Sequence, residues 1–367
     1  MNQWPTWLPL RQDLRELSAY GAPQVPADAV MNTNENPYPL SEKLAAAIAA
    51  RVLEAAKNLN RYPDRDATVL RSKLAQFINS LSATTLNEKN IWAANGSNEI
   101  IQSLFMAFGS GSALGFTPSY SMHPLIAKVT SVNWLDGKRR DDHSLDVAVA
   151  VQQVLTEKPT LTFITTPNNP TGSVVKIFEI VELAKATASI GGLLVVDEAY
   201  AEFSSEISAV TLIAQYPNVI VIRTMSKAFA FAGARLGYLI ADPAVIDALQ
   251  LVRLPYHLSA ITQAVAEVAL SFSDELLAGV DTLIAQREIV QAGLGKIGLT
   301  ITPSAANFLL FGGFNQPADQ LWRKLLDRGI LIRDVGLLGQ LRVTIGTAAE
   351  NQAFLSALTE VLAEGDK

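Results

Sequence analysis

The feature that most constrains this chain is a recurring unit: a short, mostly apolar run followed by a stretch with helical spacing. Residues 113–116, 161–165, 193–196, 219–222 and 237–240 are such runs, and helical patterns such as residues 177–189 lie between several of them. A strand with one face in water alternates apolar and polar residues, whereas a run that is apolar throughout must be covered on both faces. The alternation therefore predicts an α/β fold, a large domain with a mostly parallel central sheet covered by helices.

The flanking regions differ. Residues 41–57 and 66–80 read as helices ahead of the sheet, the first with Ser41 as its N-cap. After Asp242-Pro243 the texture changes. Helical stretches at 245–253, 261–270 and 274–294 precede a strand at 307–311, a helix at 317–328, short strands around Ile332 and Val343, and a closing helix from Asn351. This looser order predicts a smaller α+β C-terminal domain. Pro5, Pro9, Pro23 and Pro26 restrict helix in residues 1–35, and Trp4 and Trp7 need a surface to pack on, so an irregular arm is expected there. The expected organisation is an N-terminal arm over 1–35, a large domain over 36–242 and a small domain over 243–367.

Composition narrows the chemistry. With 367 residues, 49% hydrophobic and 17% charged, the chain can bury a large core. It has no cysteine, which excludes disulfides, thiolate metal sites, iron–sulfur clusters and a cysteine nucleophile. Its histidines, His123, His143 and His257, show no metal-ligand spacing, so no metal is expected. The formal net charge of −6 disfavours nucleic acid and anionic lipid as partners. Arg11, Asp13, Arg15 and Glu16 interrupt any export signal, and residues 228–241, the longest tempting apolar stretch, are broken by Arg235. No run reaches the ~20 predominantly apolar residues a membrane span needs. A cytoplasmic location is the expectation.

Ligands of open α/β sheets bind beyond the carboxyl ends of the strands, and several such positions hold distinctive polar residues. Asn95-Gly96-Ser97-Asn98-Glu99 precedes a helical pattern; it reads as an ordinary capped helix or as a phosphate seat at a helix N-terminus. Thr166-Pro167-Asn168-Asn169-Pro170-Thr171-Gly172 is a rigid turn whose asparagines can donate to a ligand oxygen. Asp197, in Asp197-Glu198-Ala199-Tyr200, ends a buried run. A carboxylate there is costly without a partner, and a cationic ring nitrogen would be one. Lys227, in Arg223-Thr224-Met225-Ser226-Lys227, sits among apolar neighbours, which lowers a lysine's pKa and frees its amine. Arg235 follows as a second cation or a phosphate partner. Each feature alone also has a plain structural reading: a capped helix, a turn, a surface acid, a snorkelling lysine. Together they match what pyridoxal phosphate needs, which is a lysine to bond its aldehyde, an acid at its ring nitrogen and a seat for its phosphate.

With these motifs the chain resembles the fold-type I pyridoxal-phosphate aminotransferases, and among them the histidinol-phosphate aminotransferases. Asn34-Glu35-Asn36-Pro37, Asn60-Arg61-Tyr62-Pro63-Asp64, the turn over 166–172, Ser226-Lys227-Ala228 and Arg342-Val343-Thr344-Ile345-Gly346-Thr347 carry the resemblance, which spans about Asn34 to Thr347. It implies that Lys227 is the Schiff-base lysine and moves the proton, that Asp197 pairs with the ring nitrogen, and that Asn169 and Tyr200 bond the ring oxygen. Tyr120 would stack on the ring. Gly96, Ser97, Ser226 and Arg235 would hold the phosphate, joined by Tyr62 from a neighbouring subunit, so a homodimer is implied; Thr224 is a further cofactor-binding candidate. Arg342 would bind the carboxylate of glutamate or 2-oxoglutarate, and Arg333 the phosphate or second carboxylate of the substrate. Asn36 and Asn307 are further substrate-contact candidates, while His123, Tyr256 and His257 stay unassigned.

The implied reaction transfers the amino group of L-histidinol phosphate to 2-oxoglutarate, giving imidazole-acetol phosphate and glutamate. An aromatic amino-acid aminotransferase on the same scaffold is the near alternative. An amino-acid-phosphate decarboxylase and a non-catalytic regulator are more distant ones.

Overall fold

The structure is a computed structural model that describes residues 4–19 and 21–365. Its strands, in chain order, are β1 (Ala29–Val30), β2 (Ile91–Ala94), β3 (Ser112–Thr117), β4 (Asn133–Lys138), β5 (Leu161–Thr165), β6 (Leu193–Asp197), β7 (Val219–Thr224) and β8 (Gly237–Ile240). They are followed by β9 (Thr300–Ile301), β10 (Phe308–Gly312), β11 (Ile330–Leu331) and β12 (Gln340–Thr344).

The apolar runs do form a two-faced sheet. Seven strands lie in the order β2-β8-β7-β6-β5-β3-β4, all parallel except β8. Successive residues of β6 enter opposite cores: Leu194 and Val196 pack with Val219 and Val221 on one side, Val195 with Phe163, Ile220 and Ile222 on the other. That is why these runs lack the polar alternation of a half-exposed strand. Two strands of this sheet escaped the sequence reading. β4 is an edge strand with a mixed sequence, Asn-Trp-Leu-Asp-Gly-Lys, and edges tolerate such polarity. β2 is wholly buried but only four residues long.

Register brings the chemistry together. Thr165 pairs with Asp197, and Asp197 with Ile222, so the carboxyl ends of β5, β6 and β7 stand side by side. Behind them lies a buried ion cluster. Arg223 of β7 donates to Glu198 at 2.9 Å, to Glu202 at 2.8 Å and to Ser208 Oγ at 3.0 Å. It ties the end of β7 to the segment that follows β6.

The helix expected over 41–57 forms as Glu42–Ala56, and Ser41 accepts the Leu44 N–H at 3.2 Å as its cap. After residue 242, helices Pro243–Val252, Ala260–Leu270 and Ser273–Lys296 lead to an antiparallel sheet, β12-β10-β9. The N-terminal segment joins this part of the molecule. β1 pairs in parallel with β11, Met31 N–H donates to Leu331 O at 2.8 Å, and Thr344 N–H donates to Met31 O at 3.0 Å. Earlier in the arm, Arg11 reaches the end of helix Met122–Val129 and donates to Val129 O at 2.9 Å. Trp4 donates to Arg15 O at 3.1 Å, but Trp7 is 78% exposed among the described residues. Among the described residues no helix is long and apolar enough to cross a membrane.

Candidate active site

A cavity of about 490 Å³ opens at the carboxyl ends of β5, β6 and β7. Residues 32–35 of the N-terminal segment, Arg333-Asp334-Val335 and Arg342 close it from the other side. Its lining includes Ser97, Tyr120, Asn169, Asp197, Tyr200, Thr224, Ser226, Lys227, Arg235, Arg333 and Arg342. The volume lies within the ~300–1,000 Å³ usual for a small-molecule site.

Asp197 is buried at the end of β6. Its Oδ1 accepts from Ala199 N–H at 3.2 Å, and its Oδ2 meets His123 Nε2 at 3.2 Å. An ionised carboxylate only accepts, which makes that histidine nitrogen the donor. His123 lies in the first turn of helix Met122–Val129 and is itself buried. The sequence carried no sign of this partnership beyond the three-residue step from Tyr120.

Lys227 is partly buried, and its Nζ donates to Thr33 O at 2.9 Å. Burial first, and then the nearby Arg342 cation, push its ammonium down to about 8, with a smaller push from Arg235 and an opposing pull from Glu35. At pH 7 about a tenth of such a group is the free amine.

An anion seat lies at one end. Gly96 precedes helix Ser97–Phe108 with φ +84°, and a Cβ there would stand 2.7 Å from Arg235 Nη2. A Cβ on Gly237 would stand 2.5 Å from Ser97 N. Glycine at both positions lets the start of β8, the helix N-terminus and the Arg235 guanidinium converge. Thr224 Oγ1 donates to Ser226 Oγ at 3.0 Å beside them, and Arg235 Nη1 donates to Ala232 O at 3.0 Å.

At the opposite end, buried Arg342 donates to Asn169 Oδ1 at 2.6 Å and to Asn32 O at 2.7 Å, its guanidinium 5.2 Å from the Phe308 ring centre. Arg333 and Arg342 are backbone partners in an antiparallel bridge, which puts the two cations side by side. With its oxygen engaged by Arg342, Asn169 has its amide Nδ2 to offer the cavity.

Four candidates lie outside the lining, one of them Gly96, which stands just before Ser97 at the helix start. Asn36 is spent locally, its Oδ1 accepting from Tyr38 N–H at 3.0 Å. Asn307 is buried behind the wall and donates to Asn34 O at 3.0 Å. Tyr62 is 79% exposed and stacks on Tyr256 with ring centres 4.4 Å apart, away from the cavity of its own chain. Other residues do work that the sequence did not announce. Thr33 O receives Lys227, Asn32 O receives Arg342, and Asn34 Nδ2 donates to Tyr200 Oη at 2.9 Å. The Asn34-Glu35-Asn36-Pro37 motif marked the segment, but backbone carbonyls carry no side-chain signature.

Comparison with known proteins gives this geometry a family. The model of aminotransferase class I and II matches residues 29–358. A histidinol-phosphate aminotransferase of Mycobacterium sp. (strain KMS) is 54% identical over 353 residues, 95% of this chain and 93% of that protein. The histidinol-phosphate aminotransferase of Sinorhizobium meliloti, solved in complex with pyridoxal-5'-phosphate, superposes with a TM-score of 0.85 at 24% identity, covering 97% of this chain and 98% of that one. The L-threonine-O-3-phosphate decarboxylase of Porphyromonas gingivalis shares the fold at a TM-score of 0.76 and 20% identity, with 91% and 99% covered. The fold alone therefore serves more than one reaction. The chain belongs to the class I and II aminotransferases, and within them to the histidinol-phosphate aminotransferases.

Proposed function

We propose that this chain transfers the amino group of L-histidinol phosphate to 2-oxoglutarate, using pyridoxal phosphate, as a cytoplasmic homodimer. The observation that carries the reading is the joint presence of Lys227, Asp197, Asn169, Tyr200 and Arg235 around one cavity, in a chain 54% identical to a histidinol-phosphate aminotransferase. The donor set suits the cofactor. The glycine-lined helix start and Arg235 form a seat for a phosphate, Asp197 is a buried acid for a ring nitrogen, and Lys227 has an amine with a lowered pKa.

When bound, pyridoxal phosphate supplies an electron-withdrawing ring and stores the amine between the two half-reactions. The protein's part is binding, orientation and proton handling. Lys227 Nζ is the base that takes a proton from the amine-bearing carbon of the substrate. Asp197, whose Oδ2 is held by His123, would be the acid that pairs with the ring nitrogen. Asn169 and Tyr200 donate to the ring oxygen. Tyr120, whose hydroxyl donates to Asn98 Oδ1 at 3.1 Å, presents its ring to the cavity. Arg342 and Arg333 bind the anionic ends of the substrates, a carboxylate in one half-reaction and a phosphate in the other; a planar guanidinium suits both.

The dimer rests on Tyr62. Tyr62 is 79% exposed, stacks on Tyr256 and lies outside its own chain's cavity, and Leu251 and Leu254 before Tyr256 are exposed, which supports a role for this face in a neighbouring subunit's site. Division into a large domain to residue 242 and a small one beyond it is supported by the seven-stranded sheet lying before that residue and the three-stranded sheet after it. A chain without cysteine suits the cytoplasm.

The test is kcat/KM for histidinol phosphate and for phenylalanine, side by side, with 2-oxoglutarate as acceptor. A preference of several hundredfold for histidinol phosphate is expected. Equal values would move the function to aromatic transamination. Carbon dioxide release from threonine phosphate without a keto acid would move it to decarboxylation.

A further inference from the structure

Asn34 stands out among the residues around the cavity. It is buried, yet its φ is +56°, in the left-handed region that asparagine tolerates better than most residues. Such a conformation persists where surrounding bonds over-determine it, and here four do. Asn34 N–H donates to Thr344 Oγ1 at 3.0 Å, and Thr344 Oγ1 donates to Asn34 Oδ1 at 3.0 Å. Asn34 O accepts from Asn307 Nδ2 at 3.0 Å, and Asn34 Nδ2 donates to Tyr200 Oη at 2.9 Å.

The direction of these bonds follows from proton counting. Thr344 Oγ1 has one proton. It already accepts from the Asn34 backbone, and its own proton goes to Asn34 Oδ1. Turning the amide over would point two donors at that oxygen and strand a buried hydroxyl proton, at the cost of an unmade bond. The amide nitrogen therefore faces Tyr200. Tyr200 Oη is an acceptor toward Asn34, so its own proton is directed to a partner other than Asn34.

We propose that Asn34 is a positioning residue that sets the proton polarity of Tyr200, so that the tyrosine donates to the ring oxygen of the cofactor. Thr344 sets the polarity of Asn34 in turn. Asn169 is arranged alike: its acceptor oxygen is engaged by Arg342, so it too offers a donor. This inference rests on the proposed use of pyridoxal phosphate but not on the identity of the amino donor.

The experiment follows the pH midpoint of the bound cofactor's visible absorbance. A donor on the ring oxygen competes for the proton shared between that oxygen and the Lys227 nitrogen, so losing the donor raises the midpoint. Asn34→Asp keeps the shape and tolerates the backbone but replaces the donor by an acceptor, which turns the Tyr200 proton away. The expected shift is upward by about one pH unit or more, with cofactor affinity reduced about tenfold. Asn34→Ala, which strains the backbone more but leaves the Tyr200 proton free to point inward, is expected to shift the midpoint less. In a Tyr200→Phe background, Asn34→Asp is expected to add no further shift. Glu35, Asp197, Arg235, Arg333, Asp334 and Arg342, the charges around Lys227, are unchanged throughout, so this background separates a turned hydroxyl from the mere charge of a new carboxylate.

A larger shift for Ala than for Asp, or an equal Asp shift without the tyrosine hydroxyl, overturns the proposal. If Asn34→Asp does not fold, Thr344→Val carries the test; releasing the amide is expected to raise the midpoint by a smaller amount, and an unchanged midpoint overturns the proposal. Failure of the wild-type protein to take up pyridoxal phosphate would instead break the proposed function.

Discussion

The cavity has two walls built on different principles. One is the row of strand ends, where Asp197, Thr224 and Lys227 follow apolar runs and rest on a paired, buried framework of which the Arg223–Glu198–Glu202 cluster is part. The other consists of residues 32–35, with Arg342 and Thr344 of β12 behind them, and works largely through backbone carbonyls. The first wall draws its rigidity from the sheet. The second is held by bonds across nearly the whole chain, and it fixes direction more than it supplies stability.

Lys227→Met should have the largest effect. Turnover is expected to fall by about four orders of magnitude, the upper end of what a general base contributes; near-normal kcat would remove Lys227 from the mechanism. The cofactor-free variant should meanwhile unfold less readily than its parent. Lys227 titrates at 10.5 when unfolded and near 8 when folded, so the folded state bears the cost of the charge at every pH below 8. That cost fades as pH rises from 8 toward 10.5. It amounts to at most ~3 kcal/mol, less about 1 kcal/mol for the Thr33 carbonyl left without its donor. Denaturant titrations at pH 7 and pH 10 should show the gain at the first and not at the second.

Arg223→Ala probes the framework of the first wall. It strands two buried carboxylates, and Glu202, which burial already pushes up, loses its cation. A loss of about 3–5 kcal/mol in unfolding free energy is expected. A change in KM with stability intact would erase the contrast between the walls.

Arg342→Lys probes the second wall with a smaller change. A lysine keeps the charge but cannot hold Asn169, Asn32 O and a substrate carboxylate in one plane. KM for 2-oxoglutarate is expected to rise about tenfold to a hundredfold, with the melting temperature nearly unchanged. A large drop in melting temperature would show that this wall bears structural weight after all.

Legibility in the sequence divided along the same line. Asp197, Asn169 and Lys227 were readable because each is a polar residue placed where an apolar run ends, and their apolar surroundings gave the pattern contrast. The runs also announced the buried sheet, although edge strand β4 hid behind its polar residues. The second wall offered no such contrast. Thr33 and Asn32 act through carbonyls that every residue possesses. Asn34 acts through an amide whose direction depends on Thr344, 310 positions away. Asn36 and Asn307 entered as substrate contacts through the family resemblance, but local turn geometry claims the first and the Asn34 carbonyl claims the second. His123 could be found only through three-dimensional placement beside Asp197.

The pairing of Asn34 with Thr344 also has a consequence for how the protein is made. Residues 29–34 leave the ribosome early, while β11 and β12, which they need, are synthesised late. The sheet with Asp197 and Lys227 can form during synthesis, but Tyr200 and Lys227 acquire their bonds to residues 33–34 in a fixed geometry only when the two ends of the chain meet. A nascent chain that stops short of Thr344 thus carries every residue of the first wall and no means of aiming it, so the capacity for catalysis arises at the final step of assembly.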